Sequence, residues 1–139
     1  VGVIATAIKE AVATGFDGTI RLAPALPNSW SVSGTVCVQG RSKVHVQYQS
    51  GALAFGVLEA GSTGTFDVRN PWSGTQATVL DDTGQEVVAP TTGDLAVSAQ
   101  QGRSYLIKKA SDATPSLVEV TGTAATAVKS LGSRTIGIP

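Results

Sequence analysis

Methionine is absent from this 139-residue chain, cysteine and histidine occur once each, and acidic and basic residues number ten apiece. Each shortage excludes something. The single cysteine, Cys37, allows no intrachain disulfide framework and is expected to be a buried free thiol acting as a small hydrophobe. The single histidine, His45, has no second histidine and no close cluster of carboxylates with which to share a metal, so neither a metal site nor another cofactor is expected. Zero formal charge without any basic run argues against duplex nucleic acid or an anionic membrane surface as partner. No apolar stretch reaches the roughly 18 residues that suggest a membrane-spanning helix, and no basic-then-apolar signal peptide stands at the start. Without an initiating methionine, the chain is expected to be a processed or excised piece of a longer product.

The remaining composition describes a chain able to bury a core. Hydrophobic residues make up 42% of it and charged residues only 14%, too apolar for a disordered tail. Valine (17), threonine (16) and isoleucine (6) are abundant, and 16 glycines and 6 prolines punctuate them, a composition suited to short strands and tight turns. The exception is the N-terminus. Ile4, Ile8, Ala11 and Val12 recur at helical spacing with Lys9 and Glu10 off that face, and Gly15 is placed to end the helix in a left-handed conformation with Phe16 folding back onto it.

From Asp17 onward the period changes to two. Thr19 to Leu22 reads as a strand, followed by a loop bounded by Pro24 and Pro27 that runs to Trp30, since two prolines three apart do not fit a central strand. Further strands are carried by Val36 with Val38; by Val44, Val46 and Tyr48, with His45 and Gln47 on the other face; and by Leu53, Phe55 and Val57 beyond a Ser50-Gly51 hairpin turn. Phe66 with Val68, Ala77 with Val79, Val87, Leu95 with Val97, and Tyr105 with Ile107 complete the series, and Leu117 to Thr121 is one more possible strand. The pattern predicts a mainly β protein, an antiparallel β-sandwich of about 8–10 short strands preceded by one N-terminal α-helix. Residues 1–16 form the helical segment, 17–109 the sandwich, and 110–139 an extension whose end, from Thr123, reads as a surface tail.

Catalytic chemistry is hard to place. Asp81, Asp82 and Asp94 stand in turns, where backbone-bonding roles explain them, and Asp67 alternates against Phe66 and Val68 on an outer face. No Gly-x-Ser-x-Gly elbow and no phosphate-loop pattern occurs. Trp30 and Trp72 stand in proline-containing loops, where an exposed indole would offer a stacking platform to a sugar, with Asn28, Arg69 and Asn70 as hydrogen-bonding candidates. The competing reading has each tryptophan plug its loop against the core or against a neighbouring domain.

The run Asp17-Gly18-Thr19-Ile20-Arg21-Leu22-Ala23-Pro24-Ala25-Leu26-Pro27, followed by Trp30, Gly34, Gln39-Gly40 and the strand through Tyr48, resembles the junction between the catalytic barrel and the C-terminal β-domain of family 95 glycoside hydrolases, the α-L-fucosidase family. The likeness covers about residues 3 to 109 and is strongest from Gly18 to Trp30. It implies a secreted or extracytoplasmic parent enzyme whose catalytic residues lie in an (α/α) barrel, so that none falls in this chain and the chain alone is not an enzyme. Val3 to Thr14 would then be the barrel's last helix, and Ile4, Ile8, Val12, Pro24, Leu26, Pro27 and Trp30 the candidate contacts with that barrel. The expected function is a non-catalytic accessory domain stabilising the barrel. The alternative is a carbohydrate-binding module that uses its tryptophans on oligosaccharide.

Overall fold

The computed structural model describes residues 2–116, 129–131 and 134–136. One helix, α1 (Gly2–Val12), leads into strands β1 (Ala13–Thr14), β2 (Thr19–Leu22), β3 (Val32–Cys37), β4 (Lys43–Gln49), β5 (Ala52–Glu59), β6 (Gly64–Val68), β7 (Ala77–Asp81), β8 (Glu86–Thr91), β9 (Leu95–Ala99) and β10 (Ser104–Lys109). Two sheets result, one of four strands in the order β1-β2-β6-β9 and one of six in the order β3-β4-β5-β10-β7-β8. The protein is mainly β, and its architecture is that of a β-sandwich. A two-stranded hairpin, β11 (Lys129–Leu131) with β12 (Arg134–Ile136), lies where the sequence suggests only a tail. The suggested strand at Leu117 to Thr121 lies outside the described residues.

Alternation builds the core. Ile20 and Leu22 of β2, Phe66 and Val68 of β6, and Leu95 and Val97 of β9 are buried in one cluster with Val44 and Val46 of β4, Leu58 of β5, Val79 of β7 and Tyr105 and Ile107 of β10. Burying such side chains stabilises by roughly 1.5–3 kcal/mol each relative to exposure. The two layers approach closely at Gly56, where an added Cβ would meet Leu22 Cδ1 at 2.7 Å. The β4–β5 turn has positive φ at both central residues, Ser50 (48°) and Gly51 (81°). That is the twist-matched geometry of a two-residue hairpin, as the Ser-Gly pair predicts.

Four expectations need correcting. The helix ends at Val12 rather than near Gly15, because Ala13 and Thr14 pair with Leu22 and Arg21 as a short strand. Its last carbonyls are satisfied by the proline loop instead of a glycine cap: Ala23 N–H donates to Val12 O (2.8 Å) and Ala25 N–H to Ala11 O (3.5 Å). Phe16 does not fold back and is 88% exposed. Phe55 does not share a face with Leu53. Tyr48 pairs with Leu53 but the adjacent Gln47 pairs with Phe55, a bulge that leaves Ala54 without a partner and turns Phe55 to the opposite side. Phe55 and Gln47 are nevertheless both buried. Cys37 is exposed, since Val36 takes the inward position of β3. Within sheets that are otherwise antiparallel among the described residues, β2 and β6 run parallel, with Ile20 opposite Val68.

Candidate functional site

The sequence-nominated aromatic residues meet at one end of the sandwich, around the β4–β5 hairpin. Gly51 N–H donates to the carbonyl of Trp30 (3.2 Å), and the indole N–H of Trp72 donates to the carbonyl of Leu53 (3.0 Å). The Tyr48 hydroxyl lies between the same turn and the proline loop, 2.9 Å from Gly51 O and 3.3 Å from Leu26 O. A side chain at position 51 would collide with the carbonyl of Asn28, so the close approach of loop and hairpin requires glycine.

Here the two tryptophans part company. Trp72 is half-buried against the core with its one polar atom satisfied, so it is the loop plug and offers no open indole face. Trp30 is 46% exposed and stands beside exposed Pro27, Asn28 and Ser29. Asn70 is occupied as well. Its amide nitrogen lies within bonding range of the carbonyls of Thr75, Thr91 and Thr92, and its Oδ1 accepts from Trp72 N–H. It is a staple joining the β6–β7 and β8–β9 connections. Arg69 is exposed beside it.

The candidate barrel contacts divide in the same way. Val12 and Leu26 are buried in this domain's own core. Ile8, Pro24, Pro27 and Trp30 are exposed, and the side chain of Ile4 lies outside those described. Every residue from Ala5 to Glu10 is exposed, and among the helix side chains described only Ala11 and Val12, at its C-terminal end, join the core. An open groove of about 540 Å³ runs between Ala5, Ile8 and Val12 of α1 and Val32, Gly34 and Val36 of β3. A second recess of about 400 Å³ adjoins it across Lys9 and Cys37 and reaches Phe16 and Gln39. Periodicity placed the helix but did not disclose this surface. The available signal was Phe16, an aromatic residue inside the Gly15–Gly18 turn.

Carboxylates are tied into turns. Asp81 Oδ1 accepts from the amides of Thr83 and Gln85 and from the Thr83 hydroxyl, while Arg103 binds both Asp81 and Asp82. The Thr83 hydroxyl, chiefly, holds the Asp81 carboxyl below the ordinary range, and the Arg103 guanidinium does the same for Asp82. Asp17 is lowered by Arg21, 2.8 Å away, and by the Thr19 amide. Asp94 accepts from the Asn70 amide. A glycosidase's general acid needs the opposite shift, upward. His45 lies on the face away from the core with Nδ1 3.1 Å from the Thr35 hydroxyl. Among the described residues no group of three or more His, Cys, Asp or Glu side chains is placed to hold a metal, and no helix is long and apolar enough to cross a membrane. Comparison with known protein families and with curated proteins finds no match to this chain.

Proposed function

We propose that the chain is a non-catalytic accessory β-sandwich of an α-L-fucosidase-like glycoside hydrolase, secreted or extracytoplasmic with its parent, which packs on a helical catalytic barrel and stabilises it. The observation that carries this reading is the state of α1. An isolated helix of 11 residues is marginal in water, yet α1 exposes all six residues from Ala5 to Glu10. Among the described helix side chains, only Ala11 and Val12 join this domain's core. The exposed turns, the apolar groove beside them and the bare Phe16 ring form a surface suited to neighbouring helices. The exposed proline loop adds a rigid second contact, since Pro24 and Pro27 limit the conformations it can lose on docking.

The test compares the longer gene product with its I8S/F16S variant. The expected result is a melting temperature lower by several degrees in the variant, with the melting of the isolated 139-residue chain unchanged. Equal melting of both longer proteins would overturn the proposal. A second reading, an oligosaccharide-binding module, is favoured by exposed Trp30 alone. Calorimetric titration with fucosylated and plant-wall oligosaccharides decides it. Heat that disappears in Trp30→Ala supports that reading, and no heat at millimolar ligand removes it.

A further inference from the structure

On the outer face of the four-stranded sheet, two arginines stand side by side. Ile20 and Val68 are opposite one another in the parallel β2–β6 pair and both are fully buried, so the residues that follow them, Arg21 and Arg69, emerge together on the other face. The Arg69 amide closes this register by donating to Ile20 O at 2.9 Å. Like charges in lateral register are unfavourable on a sheet, and the chain holds only ten basic residues in all. Both arginines line a pocket of about 310 Å³ together with Leu22, Ala23, Pro24 and Pro71, a volume at the lower end of small-molecule sites.

The pocket walls are fixed before any ligand arrives. Ala23 adopts φ of 48°, an uncommon conformation for a residue with a side chain, and its amide is pinned to Val12 O at 2.8 Å. Asn70, next to Arg69, is held by carbonyls of three other residues. Strained, over-determined backbone of this kind gathers at ligand sites. The charges are unevenly matched. Arg21 is paired with Asp17 at 2.8 Å, whereas the Arg69 side chain has no ion pair or hydrogen bond among the described residues. Asp67 and Asp94 are the other carboxylates on this side; Asp94 accepts from the Asn70 backbone amide and acts on Arg21 through space, and neither lines the pocket. One unneutralised guanidinium therefore faces the cavity, with a second able to share donors.

We propose that this pocket binds the carboxylate of a sugar acid, with Arg69 as the principal ion-pair partner and Arg21 as the second donor. A planar guanidinium meets a carboxylate through two parallel N–H···O bonds, and a single negative charge matches the single unpaired positive one, which a phosphate dianion does not. Ala23, Pro24 and Pro71 supply apolar wall for the C–H face of a pyranose ring. The carboxylate half of the assignment rests on the pocket alone; the sugar half rests on the carbohydrate-enzyme reading above.

Calorimetric titration of the whole chain with glucuronate, glucose, lactate and inorganic phosphate at low salt tests it. Glucuronate is expected to bind, at least tenfold more weakly to Arg69→Gln, and several-fold more weakly to Arg21→Gln. No glucuronate binding, undiminished binding by Arg69→Gln, or equal binding of glucose or phosphate overturns the proposal. Lactate binding as tight as glucuronate overturns its sugar half only. Should either variant fold poorly, amide shifts of the unmodified chain on glucuronate addition decide the matter. Shifts at Arg21, Ala23, Arg69 and Asn70 support the site, and shifts confined elsewhere overturn it.

Discussion

Two tryptophans in similar sequence settings do different work, and the difference is set by one hydrogen bond. The indole N–H of Trp72 has the Leu53 carbonyl to bind, so its ring is buried at no polar cost; no comparable partner holds the ring of Trp30, which stays 46% exposed. Trp72→Ala should therefore lower stability by about 2–3 kcal/mol, less than the roughly 3–5 kcal/mol for a fully buried aromatic because the residue is only half-buried. Trp30→Ala should cost under about 1 kcal/mol. Urea unfolding of both variants checks this, and a larger loss for Trp30→Ala would reverse the assignment. Asn70→Ala belongs at the same scale. It leaves three loop carbonyls and the Trp72 amide without their side-chain partner, and a loss of about 2–3 kcal/mol is expected in the same experiment.

At the level of elements, strand positions were legible because alternation between apolar and polar residues is a local signal. Thr19 to Leu22 and the Ser50-Gly51 hairpin emerge as the sequence pattern predicts. What failed were features set by partners distant in sequence. The end of α1 is fixed by amides at Ala23 and Ala25 and by pairing to β2, none of which Gly15 or Phe16 announces. The bulge that turns Phe55 over depends on the register of two strands rather than on either alone. The candidate site was legible to the same extent: the residues were named, but the burial of Trp72 and the occupation of Asn70 come from contacts 19 to 22 positions away.

Elements also carry the acid response. Arg103, leading into β10, binds Asp81 and Asp82 at the β7–β8 turn. Both carboxyls are held below their ordinary value of 3.8 in the folded protein. A depressed folded-state pKa stabilises above the unfolded value and that contribution disappears as pH falls through the folded one. The melting difference between the protein and its Arg103→Met variant, carried chiefly by Asp82, should be constant near pH 6, shrink as pH falls below about 5, and vanish only once pH is below the lowered folded-state pKa, itself under 3.8. A difference that persists unchanged into that acid range would show that Arg103 acts by packing rather than by charge.

For the whole molecule, the unusual feature is a sandwich with its core between its sheets and a helix whose described core contacts lie at its C-terminal end. Ala11, Val12 and Ala13 join the core, and the helix's last carbonyls are bound by the proline loop. Its residues from Ala5 to Glu10 are all exposed. Local opening should therefore be graded along α1, since protection from hydrogen exchange follows buried contact and is lowest where backbone bonds face water. In the isolated chain, helix amides N-terminal to Lys9 should exchange close to the rate of an unfolded peptide. Amides of β4, β5 and β10, the centre of the six-stranded sheet, should exchange only through global unfolding. If the proposal that a helical neighbour covers Ile8 and Phe16 holds, the same helix amides should slow by at least tenfold in a longer protein carrying that neighbour, while those of the central strands change less. Hydrogen-exchange mass spectrometry on both proteins reads this directly. Full protection of the early helix in the isolated chain would mean that α1 needs no partner, and would remove the physical reason for assigning it one.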